Sequence, residues 1–318
     1  MVETKLFFAC DVHGSEKTFM KFVNAAKFYK ASVVILGGDL TGKMLVPIVE
    51  QPDGSYKASF LGTDYTMRSG EEVLEMEKNI RFNGAYSFRT TLEEVSVLDA
   101  DPAKVDELFS KLMVEGVQRW IKIAEERLRG TGTKCFLMPG NDDRIDIDIV
   151  FSSSEFVINP EGKVVAIDDH HEMISTGYSN ITPWNAPRDI SEEEVAKKIE
   201  SMALQVKDIK NCIFQFHCPP YDATIDAAPK LDKNLKPVMS PSGGTEMIPA
   251  GSKAVRAAIE EYQPILGLHG HIHESKGFFR IGRTLCLNPG SEYSEGVLRG
   301  ALVTLTEGKV KSYILTRG

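Results

Sequence analysis

The sequence predicts an α/β protein, and two patterns in it lead to this fold class. Short apolar runs recur along the chain, as expected for strands that are buried on both faces of a sheet. Between them lie segments whose apolar residues are three or four positions apart, which is the period of a helix packed on a sheet. Strands and helices that alternate in this way form βαβ units with parallel strands.

The first such unit covers residues 5–39. The apolar run at 5–10 is followed directly by Asp11-Val12-His13-Gly14. A second apolar run at 33–36 leads into Gly37-Gly38-Asp39. The segment between them predicts an amphipathic helix with one apolar stripe, formed by Phe19, Phe22, Val23 and Ala26.

Three later strands end in the same manner. A strand over 135–138 precedes Asn141, a strand over 212–216 precedes His217, and a strand over 265–268 precedes the segment 269–273. Each predicted strand therefore delivers a polar residue at its carboxyl end. In open α/β sheets this edge is where ligands bind.

The helices and the final strands complete the prediction. Ser191 followed by Glu194 resembles a capping box, and it opens a helix whose apolar face continues to Ile209. A short helix is expected over 252–262. The alternating segments 301–305 and 310–315 predict a closing hairpin.

We expect one domain over residues 1–318, with a mainly helical insertion at 41–129. Asp101-Pro102 is a favourable helix start, and an apolar period continues from there to Gly130. A second helix is expected over 71–82, and Pro52-Asp53-Gly54 is a turn. The insertion is open to three interpretations: a lid, a substrate-selecting cap or an oligomer interface. The oligomeric state is not predicted.

Composition limits the partners. The chain has 318 residues, 42% of them hydrophobic, and a net charge of −8. This charge argues against binding long nucleic acids, which requires a basic face, and leaves small phosphorylated substrates open. No apolar run approaches the ~18 residues of a membrane span. The five cysteines lack metal-binding spacing, so we expect reduced thiols and a cytoplasmic location.

Two residue pairs have the spacing of metal ligands. Asp11 and His13 are two positions apart, as are His271 and His273, so in extended backbone both members of a pair point to one side. Imidazole and carboxylate groups together suit Mn, Fe or Zn. One such pair is a weak signal, whereas several pairs in a fixed order, each after an apolar strand, are a strong one.

The ordered set D-x-H-G, G-G-D, G-N, a strand-terminal His and G-H-x-H resembles the calcineurin-like metallophosphoesterase family, over residues 5–40 and 134–291. The resemblance implies a four-layer α/β/β/α sandwich that holds two divalent metal ions at the sheet edge. Asp39 would bridge the two ions. The implied ligands are Asp11, His13, Asp39 and His273 for the first ion and Asp39, Asn141, His217 and His271 for the second.

The chemistry that this resemblance implies is hydrolysis of a phosphate ester by direct attack of a metal-bound hydroxide, with Asp39 and Asp142 as the catalytic residues. Much of the family has His where this chain has Asp142. A carboxylate is a poor general acid at pH 7, so we favour a small phosphodiester as substrate. The alternatives are a phosphomonoesterase or protein phosphatase, and a non-catalytic metal-binding interaction module.

Other polar residues have simpler explanations. His269 is either a contact of the site or a hydrogen-bonded strand histidine, and the segment 168–172 is a solvated turn or a source of a leaving-group acid. The loop over 222–251 is a mobile gate or a plain connector, and Asp143 supports the ligand loop. Three cationic residues could hold a substrate phosphate or be surface charge: Lys43, Arg144 and Arg188.

Overall fold

The computed structural model describes residues 3–241 and 243–318. The helices are α1 (Glu16–Tyr29), α2 (Gly70–Phe82), α3 (Leu92–Ala100), α4 (Pro102–Leu128), α5 (Glu192–Ala203) and α6 (Lys253–Tyr262). The strands are β1 (Thr4–Ala9), β2 (Val33–Gly37), β3 (Leu45–Glu50), β4 (Tyr56–Phe60), β5 (Thr63–Met67), β6 (Tyr86–Thr90), β7 (Lys134–Met138), β8 (Val157–Ile158), β9 (Val164–Ala166), β10 (Glu172–Thr176), β11 (Ser179–Asn180), β12 (Asp189–Ile190), β13 (Ile213–Phe216), β14 (Ala227–Pro229), β15 (Met247–Pro249), β16 (Leu266–Leu268), β17 (Gly277–Ile281), β18 (Thr284–Asn288), β19 (Arg299–Thr306) and β20 (Lys309–Arg317).

Two six-stranded sheets carry the fold. The first has the order β20-β19-β1-β2-β7-β8, and the second has the order β17-β18-β16-β13-β10-β9. In the first sheet β1, β2, β7 and β8 run parallel, while β19 and β20 add the predicted antiparallel hairpin. In the second sheet β10, β13, β16 and β18 run parallel. The α/β class predicted from the sequence is confirmed.

The two sheets share one apolar core. Phe8 and Ile35 of the first sheet belong to the same buried cluster as Ile213 and Leu268 of the second. The outer face of the first sheet packs with α1 and α4, where Phe19 and Trp120 stack with ring centroids 4.2 Å apart. The outer face of the second sheet packs with α5 and α6. Strands buried on both faces explain the continuous apolar runs in the sequence.

The segment 41–129 contains the two predicted helices and also a sheet that was not predicted. Helix α4 begins at Pro102, with the carboxylate of Asp101 accepting a hydrogen bond from the Ala103 N–H at 3.1 Å, and α2 lies where the second helix was predicted. The sequence did not predict the four-stranded sheet β5-β4-β3-β6. Its strands are five or six residues long and partly exposed, so they carry little apolar signal.

The helix predicted to reach Ile209 is shorter than expected. Helix α5 has the predicted capping box at Ser191 but ends at Ala203. Val206 and Ile209 still pack against the core that the helix covers, so the apolar period continues although the helix does not. In the described part of the chain, no helix combines the length and apolar character needed to cross a membrane.

Candidate metal centre

The ligand loops follow strands of both sheets and are joined to each other by backbone hydrogen bonds. The N–H of Asp11 donates to the carbonyl of Gly38 at 2.9 Å, and the N–H of Gly270 donates to the carbonyl of His217 at 2.9 Å. The two sheets meet where the N–H of His271 donates to the carboxylate of Asp11 at 3.1 Å. These bonds place the carboxyl ends of β1, β2, β13 and β16 at a single edge.

The first cluster has four side chains whose candidate donor atoms all lie within 4.8 Å of one another: Asp11, His13, Asp39 and His273. His13 Nε2 lies 3.5 Å from Asp39 Oδ2, and His273 Nε2 lies 3.5 Å from Asp11 Oδ1. The two imidazole Nε2 atoms are 3.1 Å apart. Two carboxylates and two imidazoles at this spacing could hold one divalent cation.

The second cluster contains Asp39, His217 and His271, again with candidate donor atoms within 4.8 Å. His217 Nδ1–H donates to the carbonyl of Gly37 at 3.0 Å. This bond leaves Nε2 as the nitrogen that faces the cluster, where it lies 3.4 Å from Asp39 Oδ1. Such a bond to the second ring nitrogen is how proteins orient a metal-binding histidine.

Asn141 lies beside the second cluster in a defined orientation. Its Nδ2 donates to the carboxylate of Asp189 at 3.0 Å, so Oδ1 is the atom left to act as a ligand. Among the described residues, neither Asn141 Oδ1 nor His217 Nε2, both buried, has a hydrogen-bond partner. Buried polar atoms are rarely unpaired in proteins, and a cation would satisfy both.

The charges at the centre depend on one another. Burial raises the pKa of Asp39, but the nearby His217 and His13 outweigh it and hold this pKa well below its ordinary value. Burial lowers the pKa of His217, yet Asp39 and Asp11 raise it to about 10. Burial lowers the pKa of His271 to about 4. His271 is therefore neutral at pH 7, whereas a cation must displace the proton of His217.

The backbone of the centre is unusual. Asp11, His13, Asp39 and His271 have φ values of 54°, 39°, 53° and 67°. This left-handed region costs on the order of 1–3 kcal/mol for a residue other than glycine, and it is concentrated at functional sites. The surrounding fold must therefore hold these four residues in place.

Position 140 requires glycine because the carboxylate of Asp39 approaches it closely. A Cβ atom at this position would lie 2.1 Å from Asp39 Oδ1. Any side chain there would displace the carboxylate that the two clusters share. The glycine of the G-N motif thus has a steric explanation.

Asp143 supports the ligand loops, as predicted. Its buried carboxylate accepts hydrogen bonds from the N–H groups of Leu40 and Gly140 at 2.9 and 2.7 Å. It also accepts one from the hydroxyl of Thr41 at 2.6 Å. One side chain thereby joins the loop after β2 to the loop after β7.

Three polar side chains stand at the mouth of the centre: those of Lys43, Asp142 and Tyr293. Lys43 Nζ pairs with the carboxylate of Asp142, and the Asp142 N–H donates to Asp39 Oδ1 at 3.1 Å. The half-buried ring of Tyr293 lies with its centroid 4.7 Å from that of His13, and burial raises the pKa of this tyrosine. The sequence reasoning missed Tyr293. The sequence signal that could have found it is its place in the loop after β18, because β18 runs parallel to β16 and ends at the same edge of the sheet.

All three candidate phosphate-binding cations form ion pairs with acidic side chains. Arg188, expected at the surface by default, is 1% exposed. It donates to the carbonyl of Asp143 at 2.9 Å and to the carboxylate of Asp148 at 2.6 Å. Arg144 pairs with Asp106 of α4 at 2.6 Å. Of the three, Lys43 is the one that lies beside the metal clusters.

Two of the remaining histidines, His269 and His171, are buried and make hydrogen bonds within the fold. His269 Nδ1–H donates to the carbonyl of Phe216 at 2.9 Å, as expected for a hydrogen-bonded strand residue. His171 was expected in a solvated turn, but it is buried and donates to the carboxylate of Asp168 at 2.8 Å. It precedes β10 at the strand's amino end, opposite to the edge that holds the metal clusters.

Comparisons with known proteins agree with this fold. No protein-family model matches the chain. The uncharacterized protein MJ1162 of Methanocaldococcus jannaschii is 32% identical over 154 residues, which are 48% of this chain and 62% of that relative. The match thus covers less than two thirds of the relative's length.

Two crystal structures align over nearly the whole chain. The protein TT1561 of Thermus thermophilus has a TM-score of 0.55 and 15% identity, covering 100% of this chain and 99% of that one. A second crystal structure has a TM-score of 0.58 and 16% identity, covering 99% of both chains. At these identities the similarity shows a shared fold.

Proposed function

We propose that this protein is a dinuclear metal-dependent phosphoesterase of the calcineurin-like type, and that its substrate is a small phosphodiester. The observation that carries the proposal is the position of Asp39. Its Oδ2 faces His13 of one cluster at 3.5 Å, and its Oδ1 faces His217 of the other at 3.4 Å. A carboxylate that presents one oxygen to each of two donor sets is suited to bridging two cations.

The ligand assignment follows from the two donor sets. Asp11, His13, Asp39 and His273 would hold one ion, and Asp39, Asn141, His217 and His271 would hold the other. The shared core between the sheets and the helices outside them support the four-layer arrangement that the family resemblance implies. Nitrogen and oxygen donors without thiolate favour Mn, Fe or Zn.

When bound, the cations would supply the Lewis acidity and the activated water that phosphoester hydrolysis requires. The protein contributes charge and orientation. Lys43, held at the mouth by Asp142, places an ammonium group where the phosphate of a substrate would enter. Because Asp142 occupies the position that is His in much of the family, strong protonation of the leaving group is not expected, which favours a diester with a good leaving group.

Hydrolysis assays on metal-stripped protein test the proposal. A nitrophenyl phosphodiester and the matching monoester are compared after restoring Mn, Fe, Zn or Mg. We expect metal-dependent cleavage that favours the diester. Asp39→Asn should lose binding of both ions and at least about 10³-fold in kcat/KM, an effect in the range of removing a central electrostatic group.

Asp64→Asn is the matched control, because Asp64 is an exposed carboxylate on β5 in the insertion sheet. It should behave like the unmodified protein. Full activity in Asp39→Asn would contradict the site assignment. A folded protein that binds two ions and cleaves neither ester would instead favour the non-catalytic interaction module.

A further inference from the structure

A cleft of about 580 Å³ opens directly beside the metal clusters. Asp39, Asn141, His271 and His273 line its inner end. Its volume lies within the usual range for small-molecule sites, ~300–1,000 Å³. If the metal clusters bind the phosphate of a substrate, the walls of the cleft contact the organic group attached to that phosphate. The inference about this group therefore rests on the proposed function.

One wall is the segment 180–184, which presents large apolar side chains to the cleft. Trp184 and Ile181 line it and are 65% and 64% exposed. The segment is nevertheless held in place. The carboxylate of Asp189 accepts hydrogen bonds from the N–H groups of Thr182 and Ala186, both at 2.9 Å. The backbone that carries the exposed indole is therefore held on both sides of Trp184.

The facing wall is the β14–β15 hairpin with its connecting loop. Leu231, Leu235 and Ile248 line this side of the cleft together with the rings of Pro229 and Pro249. An ion pair between Lys230 and Glu246, with nitrogen and oxygen 2.9 Å apart, joins the two hairpin strands. The cleft thus has apolar walls on both sides and the metal clusters at its inner end.

The charges along the cleft limit what can enter. Among the described residues that line it, Lys43 is the only lysine or arginine, whereas three residues carry carboxylates: Asp39, Asp142 and Glu274. Because Lys43 is already paired with Asp142, no lysine or arginine among the described lining residues is left to neutralise the further charges of a polyphosphate or another polyanion. One phosphate at the metal clusters and an uncharged, apolar organic group along the walls match this distribution.

We propose that the cleft binds the organic group of the substrate through a planar ring, a nucleobase or an aryl group, that packs on Trp184. Exposed aromatic side chains stack on planar rings without strict sequence or substituent requirements. Thr182 stands on the same wall, and its hydroxyl, which donates to the carboxylate of Asp189, can still accept a hydrogen bond from an N–H at the edge of a ring. A flexible alkyl chain would use neither feature.

A series of phosphodiesters with one leaving group tests this selectivity. Each ester carries nitrophenol as leaving group and either a methyl, hexyl, phenyl or thymidine 5′ group as the second substituent. We expect kcat/KM for the phenyl and thymidine esters to exceed that for the methyl ester by about tenfold or more, as stacking on one aromatic side chain allows. A comparable rise in kcat/KM for the phenyl and thymidine esters would indicate that the cleft accepts any planar ring. A rise for the thymidine ester alone would indicate that it selects a nucleobase.

Substitutions at Trp184 test whether this side chain causes the preference for planar rings. In Trp184→Ala the ratio of the phenyl to the methyl ester should fall to about one, whereas Trp184→Phe should keep most of it. Phe28→Ala is the matched control, because Phe28 is a 78% exposed aromatic residue on α1, and it should leave the ratio unchanged. A hexyl ester as good as the phenyl ester, or a ratio that persists in Trp184→Ala, would overturn the proposal.

Fluorescence separates this inference from the proposed function. The chain has two tryptophans, and Trp120 is 3% exposed in the core, so Trp120→Phe leaves Trp184 as the single reporter. Phenylphosphonate should change its emission saturably in metal-loaded protein, and methylphosphonate should not. If every ester resists cleavage but this titration succeeds, the proposed function fails and the ring site stands. Equal responses to the two phosphonates would overturn the ring site whatever the activity.

Discussion

The candidate metal centre and the cleft beside it differ in how deeply their side chains are buried and in which elements carry them. Asp11, Asp39 and His217 are 0–2% exposed and follow strands of both sheets, whereas Trp184 and Ile181 of the cleft are more than 60% exposed and lie on a loop. The centre therefore cannot change without disturbing the core, while the cleft wall can. This difference is typical of enzymes, in which a rigid scaffold positions the reaction and loops select the substrate.

The largest effect is expected from adding a side chain next to Asp39 in the buried metal centre. Gly140→Ala places a methyl group 2.1 Å from Asp39 Oδ1, so the shared carboxylate must move away from both clusters. We expect loss of at least one bound ion and at least about 10³-fold lower kcat/KM, measured by metal analysis of the purified protein and by steady-state kinetics.

Gly70→Ala is the control for this change, since no described atom lies within 4 Å of a Cβ built at Gly70. It begins α2, far from the centre in the insertion. Normal metal content and activity in Gly140→Ala would show that the metal centre tolerates substitution. This result would contradict the proposed difference between the centre and the cleft wall.

A smaller effect is expected where the two regions are joined. Asp189 accepts hydrogen bonds from the side chain of Asn141 and from the backbone of Thr182 in the cleft wall. Asp189→Ala frees the Asn141 amide to rotate, so we expect about 10–100-fold weaker binding of one of the two ions, the usual cost of losing a residue that orients a metal ligand. Titration calorimetry with Mn²⁺ on stripped protein measures this change.

Asp208→Ala is the matched carboxylate control, because Asp208 caps a short helical turn before β13, at the strand end opposite to the centre. Unchanged affinity for both ions in Asp189→Ala would mean that Asn141 is oriented by other contacts or is not a ligand.

The smallest effect is expected at the mouth, where the charges are partly exposed. Asp142→His introduces a group that can protonate a leaving oxygen near neutral pH. We expect the ratio of monoester to diester kcat/KM to rise severalfold, on the order of the lower contributions known for general acids. Asp142→Asn, which removes the charge without adding an acid, should leave this ratio low. Equal ratios in the two variants would remove the reason for favouring a diester.

Five of the seven candidate ligands were accessible from the sequence because each lies one to three residues after an apolar strand. Locating the buried strands and inspecting the first three residues after each one finds Asp11, Asp39, Asn141, His217 and His271. Strand burial and parallel pairing are strong, local signals, and they also predicted the α/β class. The structure brings these side chains together at the edge where the parallel strands end.

The features that escaped prediction depend on tertiary contacts between distant residues. Asp189 acts on Asn141 across 48 positions, and the sequence has no pattern that links them. The insertion sheet is held by a small cluster of its own, with Val46, Phe60 and Ile80, which gives no long apolar run. The exposed cleft wall has no periodicity, because loops are shaped by what they contact.

The hydrogen bond between the His271 N–H and the Asp11 carboxylate spans 260 positions of the chain, and this has a consequence for biosynthesis. The two donor sets use residues from near the start of the chain and from its last fifth. A nascent chain that extends only through β7 and the loop after it contains Asp11, Asp39 and Asn141 but none of His217, His271 and His273. Neither set can form before the loop after β16 has been synthesised, because each set includes a histidine of that loop. Cation binding would therefore follow the long-range contacts that slow folding.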